Sequence, residues 1–212
     1  MNWAPPDPFG PWTLIVPIRN PKTGKSRLGL GQTVAEALAL DTLAAVGATA
    51  NVARTIVVTD DRAWTGSLPP FAEILVQRRS GLGAAIDEAV AAAGGPQIAI
   101  MLGDLPALMP EDLAEALGQA CTVSRGLVSD RHGNGSTLIT ALDVGTHQPA
   151  FGHGSAARHR ERGYVDLEIA PDSTLRHDVD VPADLDSACR RGVGAHTLRA
   201  LGRRETFVRL AI

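Results

Sequence analysis

The stretch IAIMLGDLPALMP runs from Ile98 to Pro110. Its first five residues are apolar without alternation, then the chain passes Gly103, meets Asp104 and turns on Leu105-Pro106. An unbroken short apolar run is the pattern of a strand buried on both faces, and such strands belong to parallel sheets covered by helices. Pro110 then opens an amphipathic segment, PEDLAEALGQA, where a first-turn proline gives up an N–H that would be unpaired anyway. The aspartate between the two either caps the turn or is held at the strand end to grip a ligand. Spacing alone leaves both readings open.

The same alternation extends in both directions. TLIVPI (Thr13–Ile18), TIVVTD (Thr55–Asp60) and AEILVQ read as strands, as do GLVSD, STLITAL and YVDLEI further on. TVAEALALDTLAAVGATA reads as a helix with a capping box formed by Thr33 and Glu36. LGAAIDEAVAAAGG is a helix stopped by Gly94-Gly95, SAARHRERG a short helix, and VPADLDSACRRG a helix opened by Pro182. Strands alternating with helices predict an α/β fold: a mostly parallel, Rossmann-like sheet with helices on both faces. In such sheets ligands bind beyond the carboxyl ends of the strands.

Composition narrows the class. The chain has 212 residues, 44% of them hydrophobic, and no long linker, which predicts a leader over residues 1–11 followed by one domain over 12–212. A net charge of −3 argues against a nucleic-acid or membrane-surface binder. No apolar run approaches the roughly 20 residues of a membrane helix. Two isolated cysteines suit a reduced cytoplasm and supply no zinc or redox framework. The six histidines lack zinc spacing; His153 and His159, six apart, do not share a helical face. There is no G-x-S-x-G elbow.

Charge is locally informative. All but two of the 20 basic residues are arginines, and both lysines, Lys22 and Lys25, fall in RNPKTGKSRLG after the first strand. That loop, with Arg19, Lys22, Lys25 and Arg27, is either a solvated surface loop or a device for neutralising a polyphosphate. It is not a P-loop, because Arg19 stands where the first glycine belongs, five residues before Gly24. A dinucleotide fingerprint also fails, with Val34 in place of the third glycine after Gly29 and Gly31. Asp178 and Asp180, two apart in an extended segment, point the same way. They either flank the helix at Pro182 or, with Asp104, gather one or two Mg²⁺ ions, which favour a few carboxylates plus substrate phosphate oxygens. Glycines in DRHGNGS and FGHGSAARH permit close backbone approach, and Ser136, Thr137 and Ser155 offer hydroxyls there.

In order along the chain, WTLIVPIRNPKTGKSRLG, VVTDD, GLGAAIDEA, IMLGDLPAL, SDRHGNGSTLI, FGHGSAARHRERG and DVDVPADL resemble the CofC/FbiD guanylyltransferases of coenzyme F-420 biosynthesis, members of the MobA-like nucleotidyltransferase superfamily. The resemblance covers Trp12 to about Gly194 and implies the nucleotide-diphospho-sugar transferase fold. It implies transfer of GMP from GTP to the phosphate of a small acid (phosphoenolpyruvate, 2-phospho-L-lactate or 3-phospho-D-glycerate), with release of pyrophosphate. It also implies a cytoplasmic enzyme whose product passes to a deazaflavin-coupling enzyme, and leaves a homodimer open. By motif, Asp104, Asp178 and Asp180 would hold Mg²⁺, and Asp104, Lys25 and Arg27 would be the catalytic groups. Arg19, Lys22, Gly24, Lys25 and Gly83 would lie on the nucleotide, and Ser136, Thr137, Gly152 and Ser155 on the acceptor. The chain departs from many relatives at Arg19 (often Lys), at Gly83 (often Asn nearby) and at Gly135-Ser136-Thr137 (often Gly-Thr). Another MobA-like transferase, for a sugar phosphate or molybdopterin, and a non-catalytic nucleotide-binding protein are the alternatives.

Overall fold

The computed structural model describes residues 11–19, 31–62 and 64–202. Strands β1 (Trp12–Pro17), β2 (Val52–Thr59), β3 (Ala72–Val76) and β4 (Ile98–Met101) are parallel, in the spatial order β3-β2-β1-β4. β6 (Ser136–Ala141) lies beside β4 and runs against it. β5 (Arg125–Ser129) and β7 (Val165–Asp166) complete a seven-stranded sheet in which, among the described residues, β6 alone is reversed. The chain is therefore the mostly parallel α/β sheet that its strand–helix alternation predicts.

The unbroken apolar runs are explained by where alternate side chains go. In β1, Leu14 and Val16 join one core cluster and Ile15 the other; in β4, Ala99 and Met101 oppose Ile98 and Ile100. Helices α1 (Gln32–Ala48) and α3 (Pro110–Ala120) cover the first face with Leu43, Val46, Leu113 and Leu117. Helices α2 (Leu82–Ala93) and α4 (Ser155–Glu161) cover the second with Ile86, Ala89 and Ala156. Each Leu or Ile so buried contributes about 1.5–3 kcal/mol, so a charge at Ile100, fully buried on the second face, would break the fold. Helices α5 (Pro182–Arg191) and α6 (Ala195–Ala200) pack on α1 through a third cluster that includes Val34, Leu38, Val179, Leu185 and Val193.

Two local expectations are corrected, and one helix is added. α1 starts one residue before Thr33, with Gly31 at the N-cap and no side-chain cap; Glu36 instead accepts from the Gln32 side chain at 2.6 Å. The strand expected over Tyr164–Ile169 pairs only at Val165–Asp166, because a tight turn, Ile169 N–H to the Leu167 carbonyl at 2.8 Å, takes Leu167 and Ile169 out of the sheet and into the first-face core. Helix α6 has no apolar stripe of its own to announce it. Its N-terminus is capped by a buried side chain from α1: Asp41 accepts the amides of His196 (3.0 Å) and Thr197 (2.8 Å).

Candidate active site

Strand order reverses direction in sequence at β1, with β2 on one side and β4 on the other, so the carboxyl ends of β1 and β4 flank a topological switch point where α/β sheets bind ligands. A cleft of about 630 Å³ opens there. Pro17, Ile18 and Arg19 enter it from β1, and Leu102, Gly103 and Asp104 from β4. β6 reaches the same rim for the opposite reason. Being reversed, it begins where its neighbours end, and this brings Ser136 to the cleft.

Asp104 is half-buried and held by its backbone. Its carbonyl accepts the Val179 amide at 3.1 Å, and the next amide, Leu105, donates to the buried Thr42 hydroxyl at 2.9 Å. Gly103 is needed for close approach: a Cβ there would lie 2.8 Å from Cγ1 of Ile18 and 3.3 Å from Cγ1 of Val16. The Asp104–Val179 bond also sets the second acidic segment beside the first. Val179 is fully buried against α1 and α5, so the alternating neighbours Asp178 and Asp180 face the cleft, and both line it. Capping α5 falls to Asp184, which accepts the amides of Asp180 and Val181 at 2.9 Å each and pairs with Arg131. Burial alone would raise the Asp184 carboxyl, but those two amides and the guanidinium hold it below the usual carboxylate value.

The far wall is built by Asp130. Its carboxylate accepts the amides of His132 (2.9 Å), Asn134 (3.0 Å) and Gly135 (2.6 Å), closing the turn into β6. Gly152 (φ +116°) and Gly154 (φ +71°) adopt conformations that glycine tolerates, and Arg158 ties their loop through the carbonyls of Ala150 and His153. Ser136, Gly152 and Ser155 line this side. Thr137 does not. It is fully buried behind β6, with its hydroxyl toward the Val128 carbonyl at 3.4 Å, so of the two adjacent hydroxyls only Ser136 faces the cleft. Beneath the serines lies His159, fully buried, 2.7 Å from Ser136 Oγ through Nδ1. Burial, with Arg162 and Arg158 nearby, pushes its pKa down to about 4.

A second pocket of about 260 Å³ shares Pro17, Ile18, Arg19 and Leu82 with the cleft and extends between β2 and α2, past Asp60, Gln77 and Gly81. Gly83 is exposed on the first turn of α2 and is absent from both linings; Gly81 and Leu82 take that place. Lys22, Gly24, Lys25 and Arg27 lie outside the described residues. The structure thus brings Arg19, Asp104, Ser136, Gly152, Ser155, Asp178 and Asp180 to one cleft. It adds Asp130, Gln77 and His159, which motif spacing does not single out. The one available signal was the i,i+4 spacing of Ser155 and His159, which puts both on one face of α4.

Among the described residues no group of three His, Cys, Asp or Glu side chains converges into a ready-made metal cage. The donor set nonetheless suits Mg²⁺, which is held by one or two carboxylates and completed by waters and substrate phosphates rather than by an all-protein shell. For that ion the chemistry of three carboxylates on one cleft, two half-buried and one exposed, fits.

The chain matches no family model. It is 39% identical over 204 residues to a phosphoenolpyruvate guanylyltransferase of Streptomyces coelicolor, covering 91% of this chain and 96% of that one. It is 36% identical over 207 residues to a protein of the same name from Thermomonospora curvata, covering 92% and 91%. Among solved structures, a nucleotidyl transferase from Methanothermobacter thermautotroptrophicus superposes with a TM-score of 0.55 at 20% identity, covering 84% of this chain and 98% of that one. With sequence identity of this extent on nearly full-length relatives, and the fold and cleft to match, the chain belongs to the phosphoenolpyruvate guanylyltransferase (CofC-type) family and is a nucleotidyltransferase enzyme.

Proposed function

We propose that the chain transfers GMP from GTP to the phosphate of phosphoenolpyruvate, or of the related acids 2-phospho-L-lactate and 3-phospho-D-glycerate, in coenzyme F-420 biosynthesis. A phosphate oxygen of the acid bonds to the α-phosphorus of GTP, the bond from that phosphorus to the β-phosphate oxygen breaks, and pyrophosphate leaves. The observation that carries this reading is a single cleft with carboxylates from two distant segments on one wall and a serine–glycine wall opposite. The names of the relatives supply the acceptor.

The chemistry asks little of a general base. A phosphate monoester has a second pKa of about 6, so the nucleophile is already ionised near neutrality. The difficulty is to bring two anions together in line and to stabilise a polyanionic leaving group. Asp104, Asp178 and Asp180 would hold Mg²⁺, which when bound offsets that repulsion. Ser136, Ser155 and the amides around Gly152 would take the acid. The pocket past Gln77 and Gly81 would take the nucleobase, with Arg19, Lys22, Gly24, Lys25 and Arg27 near the triphosphate.

Pyrophosphate release from GTP, measured with each of the three acids and with Mg²⁺ or EDTA, tests this directly. Release with phosphoenolpyruvate that EDTA abolishes is expected. Folded protein that binds GTP but releases nothing with any acid would overturn the assignment in favour of a nucleotide-binding protein.

A further inference from the structure

The pair formed by Ser136 and His159 looks at first like a nucleophile and its base. The second ring nitrogen decides otherwise. His159 Nε2 lies 2.8 Å from the backbone amide of Ala150, an obligate donor, so Nε2 must be the unprotonated, accepting nitrogen. In the neutral ring the proton then sits on Nδ1 and is donated to Ser136 Oγ, 2.7 Å away. The ring is fully buried and packed edge-on against Phe151 and Tyr164, each with centroids 5.2 Å away, so it has no freedom to flip. The neighbouring Ser155 Oγ is 3.1 Å from Ser136 Oγ. The two serines carry two hydroxyl protons and receive a third hydrogen bond from the histidine. Ser155 donates to Ser136, so both lone pairs of Ser136 Oγ are engaged and its own hydroxyl proton remains, and both residues line the cleft.

We propose that His159 is a positioning residue that fixes this proton order, so that Ser136 Oγ, already accepting from the ring and from Ser155, has only its own proton to offer the cleft and thereby selects an anionic oxygen of the acceptor. Ser136 is not a nucleophile here, because a ring that donates to it cannot accept its proton. The inference deepens the acceptor assignment above and rests on it for the identity of the anion; the proton order itself does not.

Two measurements test it on the full-length protein. Long-range ¹H–¹⁵N correlation of the imidazoles should show His159 as the Nδ1–H tautomer between pH 6 and 8. An Nε2–H tautomer or an imidazolium in that range overturns the relay, whatever the protein's substrate. In steady-state assays His159→Leu should raise KM for phosphoenolpyruvate roughly tenfold to a hundredfold, the worth of a hydrogen bond to a charged group, and leave KM for GTP within about twofold. His159→Asn, which keeps a donor near the Nδ1 position, should recover most of that loss. Equal rises in both KM values, or no rescue by Asn, would reduce His159 to a structural part and overturn the proposal. Wild-type protein inactive with every acid would fail the acceptor assignment instead, and the tautomer would still decide the proton order.

Discussion

At Asp104 the backbone and the carboxylate act separately. The carbonyl receives the Val179 amide, and the carboxylate lines the cleft. Asparagine keeps the first and removes the charge. Asp104→Asn is therefore expected to lower kcat by roughly a hundredfold or more, with the thermal midpoint nearly unchanged. Near wild-type turnover in a folded variant would remove Asp104 from the chemistry. Gly103 is a different case, because its limitation is space. A methyl group 2.8 Å from Ile18 must displace either that side chain or the Asp104 backbone. Gly103→Ala should cost about 1–3 kcal/mol in urea unfolding and reduce activity further than that loss explains. An alanine variant equal to wild type in both would show that the β1 exit yields freely. The aspartate at the end of a buried strand is held by a contact 75 residues away in the chain, which no local pattern contains.

The elements carry the site by pinning its loops to helices behind them. Thr42 on α1 is fully buried, donates to the Leu38 carbonyl at 2.9 Å and accepts the Leu105 amide. Thr42→Val keeps the shape and strands that amide, with an expected loss of about 1–3 kcal/mol in denaturant titration. Thr42→Ser should restore it; equal stability of the valine and serine forms would show that the amide finds another partner. At α5, Asp184 joins the helix cap, the amide of Asp180 and the turn carrying Arg131. Asp184→Ala removes all three at once and should cost about 1–2 kcal/mol in stability and raise KM for the acceptor, since both cleft walls loosen. An unchanged KM would separate the cap from the site. Helix bodies and their stop signals were legible in the residues, as Gly94 after α2 and Pro110 and Pro182 opening α3 and α5 show. Caps were less so. Thr33 had the right chemistry and was not used, while Asp41 capped a helix that begins 154 residues later.

Across the molecule, buried histidines tie stability to pH. Burial, then neighbouring His159 and Arg125, lower His147 to about 4, and burial with Arg162 and Arg158 lowers His159 likewise, against an ordinary 6.5. The unfolded chain therefore takes up these protons first. Their contribution is complete above pH 6.5 and is lost as pH falls toward 4. Asp184, held below the ordinary 3.8, adds stability that is lost only at still lower pH. Urea midpoints should fall steadily from pH 7 to 4.5, and His159→Leu should flatten part of that slope; identical midpoints at pH 7 and 5 would contradict neutral burial. Periodicity, turn residues and local charge are properties of neighbours in the chain, and they sufficed for the α/β class and for most elements, while for the acids and hydroxyls they left the turn and cap readings open beside the ligand one. Which strands lie side by side is not local. Asp104 meets Asp178 and Asp180 through the Val179 amide, and Ser136 and His159 reach the same rim because β6 enters the sheet reversed beside β4. That arrangement is selected by the packing of two helical layers against both faces at once, a long-range free energy that no short stretch of residues encodes.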